Sequence, residues 1–187
     1  MFKSKTKTEK NVATIWILLG IPVIILMGSL MHFVYAWSGN LTIVGIFDPV
    51  NESVWEHLKM AFWPVLFWWF LGYLIYREGD KISVNHWFFS CAISAMVCPL
   101  FIVTFYYTYT GAFGIHSLLL DIASLFLSII TGQLAALHVY NYAKPNKCCL
   151  YCAYALVLLI ALAFVIFTFL PPHIPLFLDF STGNYGI

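Results

Sequence analysis

The stretch Asn51-Glu52-Ser53-Val54-Trp55-Glu56-His57-Leu58-Lys59 gathers two carboxylates, an imidazole and an ammonium in a chain that is 62% hydrophobic and 9% charged, with a mean hydropathy of +0.88. Ionisable groups are expensive wherever a chain faces lipid, so such a cluster marks a functional site by default. Neutral imidazoles with a carboxylate suit zinc, and a zinc site with an open position activates water. A zinc protease of the inverted type reads His-x-x-Glu-His; here Ser53-Val54-Trp55-Glu56-His57 lacks the first histidine. Metal ligands must therefore come from different segments, and His32, His57 and His116 are the candidates, with Asp121 as a fourth or orienting carboxylate. Glu56 or Glu52 would then act as general base, and Asn51, Lys59, Asp179 and Tyr185 complete the candidate lining. Ser53 followed three residues later by Glu56 also fits a capping box, in which each side chain satisfies an orphan backbone N–H.

The elements that must position these residues are membrane spans. A bilayer core takes about 20 mostly apolar residues per helix, and five segments qualify, at about 13–36, 57–76, 87–108, 114–140 and 150–170. The expected fold is all-α, one integral membrane bundle of five transmembrane helices over residues 1–187. Lys3, Lys5, Lys7 and Lys10, then Arg77 and Lys81, then Lys144 and Lys147 fall on one side of that bundle. Positive charge is retained on the cytoplasmic side, so the N-terminus is expected inside and the C-terminal tail 171–187 outside. Lys59 alone breaks the pattern.

With that topology, Asp48, Glu52, Glu56, Asp121 and Asp179 belong to the outer half, together with His32, His57, His116 and His173. Glu9, Glu78, Asp80, His86 and His138 belong to the inner half. Three helices thus bring a histidine to one depth. Asp121 interrupts the apolar run Leu118 to Ala123 and should face protein or water; at 100° per residue it shares a stripe with Ser124, Ser128 and Gly132, while His116 lies about 140° away. Pro64 frees the Met60 carbonyl and is expected to widen the outer end of the bundle. The tail, with apolar anchors and few charges, is expected to fold back over the outer mouth.

The remaining composition excludes other classes. All five cysteines lie in helix 3 or near the inner end of helix 5, so the outer loops hold none for a disulfide, and the single pair Cys149-Leu150-Tyr151-Cys152 lacks the second pair of a zinc knuckle. There is no glycine-rich phosphate loop, and the basic residues number only what topology requires, so nucleic acid is not an expected partner.

At His32-Phe33-Val34-Tyr35-Ala36-Trp37-Ser38-Gly39, at Asn51 to Lys59, at Pro175-Leu176-Phe177 and at Tyr185-Gly186-Ile187, the chain resembles a family of small bacterial multi-pass membrane proteins of unassigned function. The resemblance spans nearly the whole chain and implies a bacterial plasma membrane; it carries no activity. In chemistry alone the chain is similar to the membrane hydrolases that include alkaline ceramidases, which hold zinc among helices with histidines, an aspartate and a serine. Those have seven helices and a paired-histidine motif that is missing here.

Three functions fit these residues. The first is a metal-dependent hydrolase, with zinc as cofactor, acting on a lipid or other amphipathic substrate at the outer leaflet. The second is a cation- or proton-coupled transporter or its substrate-binding subunit, for which Ser124, Ser128, Gly132, Gln133 and His138 form a thin polar trail inward. The third is an immunity or scaffold protein. Membrane lipids are the expected surroundings, and a homo-oligomer is compatible with the sequence.

Overall fold

In the computed structural model, residues 5–79 and 81–187 are described; Lys3 and Asp80 lie outside them. Among the described residues the chain forms five long helices and no strand: α1 (Lys7–Trp37), α2 (Val54–Tyr76), α3 (Val84–Phe113), α4 (Leu118–Tyr142) and α5 (Lys147–Phe169), with 3-10 turns at Val44–Ile46 and Pro175–Phe177. Each of the five is long and apolar enough to cross a membrane, which fits a small multi-pass membrane protein.

The helix ends follow local chemistry. Thr6 caps α1 in a full capping box with Glu9. Ser53 caps α2 by accepting from the Glu56 N–H, 3.3 Å, but the reciprocal half of the expected box is absent: the Ser53 N–H goes to Asn51 Oδ1, 2.9 Å. Gly114, at φ 64°, ends α3 in the left-handed conformation that glycine adopts without penalty. As a result α4 starts at Leu118 rather than near 114, and His116 lies in the connector, not early in a helix as expected from the sequence.

Tight backbone approaches and paired tryptophans fasten the bundle. Trp16 of α1 and Trp68 of α2 stack at 4.1 Å and each indole N–H donates to the other residue's carbonyl, at 3.3 and 3.2 Å. The exchange satisfies polar groups that lipid would leave unpaired. Further along the same hairpin, Gly28 lies against the Met60 carbonyl, where any Cβ would collide. That carbonyl is the one Pro64 leaves without its helical donor. Between α3 and α4, Ser94, Cys98, Ser128 and Gly132 interlock as small residues do at membrane helix contacts, with Cys98 Sγ 3.3 Å from the Ser128 carbonyl and Gln133 Nε2 donating to Ser94 Oγ at 3.2 Å.

These registers make neighbouring helices antiparallel and sort the chain into two ends. One end carries Lys5, Lys7, Lys10, Arg77, Lys81, Lys144 and Lys147. The other carries the last turns of α1, α3 and α5, the first turns of α2 and α4, the loop 38–53 and the tail. The candidate site residues His32, Glu52, Glu56, His57, Lys59, His116, Asp121 and Asp179 all belong to this second end.

Candidate functional site

His32 on the last turns of α1, Glu52 in the loop and His57 on the first turn of α2 converge. Their ligand atoms lie within 4.8 Å of one another, and among the described residues this is the group of three or more that could hold a metal ion. Glu52 stands between the imidazoles: His57 Nε2 is 3.4 Å from Oε2 and His32 Nε2 is 3.8 Å from Oε1. The two rings stack with centroids 5.5 Å apart and planes 28° apart.

The local fold determines which nitrogen faces inward. His57 Nδ1 is 2.8 Å from the Ser53 carbonyl, one helical turn back. A carbonyl only accepts, so Nδ1 carries the proton and a neutral His57 presents the Nε2 lone pair to Glu52. Two acceptors 3.4 Å apart repel unless a proton or a cation joins them. When Nε2 takes up that proton, its hydrogen bond and charge hold the Glu52 carboxyl below its usual range, against the opposing effect of partial burial. Two imidazoles and a carboxylate within 4.8 Å of one another are a donor set that could hold a metal ion. All three side chains remain partly open, with Glu52 at 55% exposure, so a molecule could reach the centre.

Glu56 and Lys59 serve a different arrangement. Both are fully buried, and Lys59 Nζ donates to Glu56 Oε2 at 2.6 Å, to the Gly45 carbonyl at 2.8 Å and to Thr168 Oγ1 at 2.5 Å. Glu56 Oε2 also accepts the Val50 N–H at 3.1 Å. This carboxylate is occupied by the pair that ties loop, α2 and α5 together. The general-base role expected for Glu56 therefore has no free, exposed carboxylate behind it, and Glu52 is the member of the two that faces the cluster.

His116 does not join His32 and His57. Its Nδ1 is 3.1 Å from the Tyr106 hydroxyl and its ring packs on Phe180 of the tail, a consequence of its place in the connector. Asp121 accepts from the Tyr109 hydroxyl at 2.7 Å, in the first turn of α4 at the same end of the bundle.

The tail closes this end, as its composition suggested. The Ile187 N–H donates to the Thr168 carbonyl at 3.2 Å, and Asn51 Nδ2 donates to the Gly186 carbonyl at 3.0 Å. Asp179 is buried, yet it accepts from Ser181 N and Oγ at 2.8 and 2.6 Å, from Thr182 Oγ1 at 3.0 Å and from the Glu52 backbone N–H. Burial pushes its carboxyl up; the hydrogen bonds outweigh that and leave it below the usual carboxylate range. Tyr185 stacks on His173 at 4.5 Å instead of facing the cluster. Sequence reasoning passed over Thr168, although it is the only hydroxyl residue after Tyr154 in an otherwise apolar α5. It also passed over Tyr109 and the Ser53 carbonyl, the latter invisible to any reading of side-chain types.

No curated protein and no solved structure matches the chain. One family model does, over residues 3–187, nearly the full length. The resemblance to a family of small multi-pass membrane proteins of unassigned function thus becomes a membership: the chain belongs to DUF6512, a family of unknown function.

Proposed function

We propose that His32, Glu52 and His57 bind a zinc ion and that the protein is a metal-dependent hydrolase of the bacterial plasma membrane, acting on a lipid or other amphipathic substrate. The observation that carries the reading is the convergence of three ligand atoms from three separate segments, with the His57 tautomer fixed so that Nε2 points into the group. The basic residues at the opposite end of the bundle support an outward-facing site.

Zinc in such a site supplies a water of lowered pKa and polarises a carbonyl or phosphoryl oxygen. The chain's own residues do the rest. Ser53 holds His57 in its ligating orientation, and Asp179 holds the Glu52 backbone from behind. Asp121, held by Tyr109, is assigned the proton transfer first expected of Glu56.

The test is the metal content of the detergent-purified full chain, prepared without chelator, beside His32→Ala and His57→Ala. Near-stoichiometric zinc lost in both variants, which still melt cooperatively, supports the reading and justifies a screen for lipid hydrolysis. A metal-free wild type sinks it.

A second reading, cation- or proton-coupled transport, is favoured by one observation: Ser124, Ser128, Ser94 and Gln133 are buried in file along α3 and α4 below Asp121. Cys98 and Gly132 close-pack midway along that file, which keeps this reading second. It predicts a substrate-dependent flux in liposomes that Asp121→Asn abolishes, whereas a hydrolase releases product without flux.

A further inference from the structure

The carboxyl groups of Glu56, Asp179 and Asp48 are all buried at the end of the bundle that carries the candidate site, and they are served unequally. Glu56 has the Lys59 ammonium at 2.6 Å and the Val50 N–H at 3.1 Å. Asp179 accepts from Ser181, Thr182 and the Glu52 backbone. The Asp48 carboxyl, at 5% exposure, accepts no hydrogen bond among the described residues, and the charge that reaches it is that of Lys59. Lys59 is already committed. Its Nζ donates to Glu56, to Thr168 Oγ1 and to the Gly45 carbonyl, and it meets Asp48 through the main-chain carbonyl, 3.5 Å away. One ammonium thus faces two carboxyls. A buried carboxylate without donors is costly, whereas its neutral acid is tolerated.

We propose that Asp48 is a pH-operated catch on the loop 38–53: as the neutral acid it stays seated beside Lys59 and the loop closes the outer end, and as the carboxylate it leaves for water and takes the loop with it. The inference concerns access to the His32–Glu52–His57 cluster and holds whatever reaction that cluster performs. Burial pushes the Asp48 carboxyl up to about 6, with Lys59 partly offsetting the rise. A carboxyl raised in the closed form favours closure when protonated, so closure weakens as pH rises through that value.

The seat of the loop is built next to that carboxyl. Gly45 is pressed against Val50, Tyr35 of α1 and Ile187 of the tail, so closely that a Cβ would collide with Val50. The N–H groups of Phe47 and Asp48 both turn back to the Val44 carbonyl, at 2.9 and 3.0 Å. Asp48 therefore follows a 3-10 turn whose Gly45 carbonyl rests on Lys59. From Asp48 the chain runs through Pro49 and Val50 to Asn51 and Glu52. Outward movement at Asp48 strains the bond from the Val50 N–H to Glu56 and draws Glu52 from between the imidazoles. The groups around this seat are few. Lys59 and Glu56 come from α2 and are paired with each other; α5 brings the Thr168 hydroxyl, α1 the Tyr35 ring and the tail the Ile187 side chain. The tail's Asp179 acts on Glu52 and not on Asp48.

The experiment is amide hydrogen exchange of the full chain in detergent at pH 5 and at pH 7.5, with chelator present at both so that metal binding contributes nothing. Each rate is divided by the intrinsic rate at its pH. The loop amides of Phe47, Asp48 and Val50 exchange faster at the higher pH by at most about tenfold, the linkage expected of a carboxyl near 6 when closed and ordinary when open. In Asp48→Asn, which cannot ionise, the same amides exchange equally slowly at both pH values. A rise that persists in Asp48→Asn, or no rise in the wild type, overturns the catch. If Asp48→Asn folds poorly, a double variant with His32→Gln and His57→Gln decides the matter, because histidine is the side chain that ordinarily titrates in this window. A rise that survives there supports Asp48; a rise that vanishes belongs to the imidazoles and overturns the catch.

Discussion

At the scale of the residue, similar side chains a few positions apart have opposite duties. Glu52 and Glu56 differ by one helical turn, yet Glu52 is half exposed between two imidazoles and Glu56 is sealed against Lys59. Their types and spacing were legible in the sequence; their division of labour was not, because it depends on Thr168, more than a hundred residues away, closing over Lys59. Removing one member of a buried ion pair leaves the other uncompensated, whereas removing both is often neutral. Lys59→Met is therefore expected to lower stability by about 3–5 kcal/mol, and the double change Lys59→Met with Glu56→Leu to recover most of that loss. Thermal melts in detergent check this; a double variant no more stable than the single one would show that the pair contributes through something other than its charges.

At the scale of the element, hydropathy alone places all five spans, and the structure shifts their ends by a few residues. One of those shifts matters. Gly114 turns the chain out of α3 and delays α4 to Leu118, which moves His116 from a helix face into a connector facing Tyr106. Periodicity could not show this, because glycine in an apolar run is compatible with either a continuing helix or a stop. The convergence of His32 with His57 was legible, since the end of one span and the start of the next must share a depth. It is secured by the close passage at Gly28 and by the Trp16–Trp68 exchange. Gly28→Leu forces the hairpin apart and is expected to destabilise by about 1–3 kcal/mol. The same change should release metal by moving His32 from Glu52, so metal content and melting temperature should fall together; metal retained in a destabilised variant would separate the hairpin from the site.

At the scale of the whole molecule, the loop 38–53 and the tail form one lid tied by hydrogen bonds, and its carboxylates respond to pH separately. Asp48 is buried and its carboxyl is pushed up to about 6 by desolvation, with Lys59 partly offsetting the rise. A carboxyl whose folded pKa is raised stabilises the fold when protonated, fully below its unfolded value, and that contribution disappears as pH rises through about 6. Asp48→Asn should therefore raise stability at pH 7.5 by at most about 3 kcal/mol, less after solvent screening, and flatten the melting curve between pH 4 and 6. Glu52 and Asp179 have the opposite sign: their lowered pKa values stabilise above the unfolded values, and the contribution is lost as pH falls through the folded ones. Deleting residues 179–187 removes the acceptor behind Glu52 and is expected to weaken metal binding about 10–100-fold, the usual penalty for losing such support, measured by competition with a chromophoric chelator. The buried ammonium of Lys59 has a further consequence, for the order in which the protein is made. Synthesis delivers Lys59 and Glu56 with α2, but Thr168 arrives only when α5 is complete, so the first hairpin must wait in the bilayer with its ammonium short of one acceptor. Helix α5 is thus the latch on a hairpin made before it.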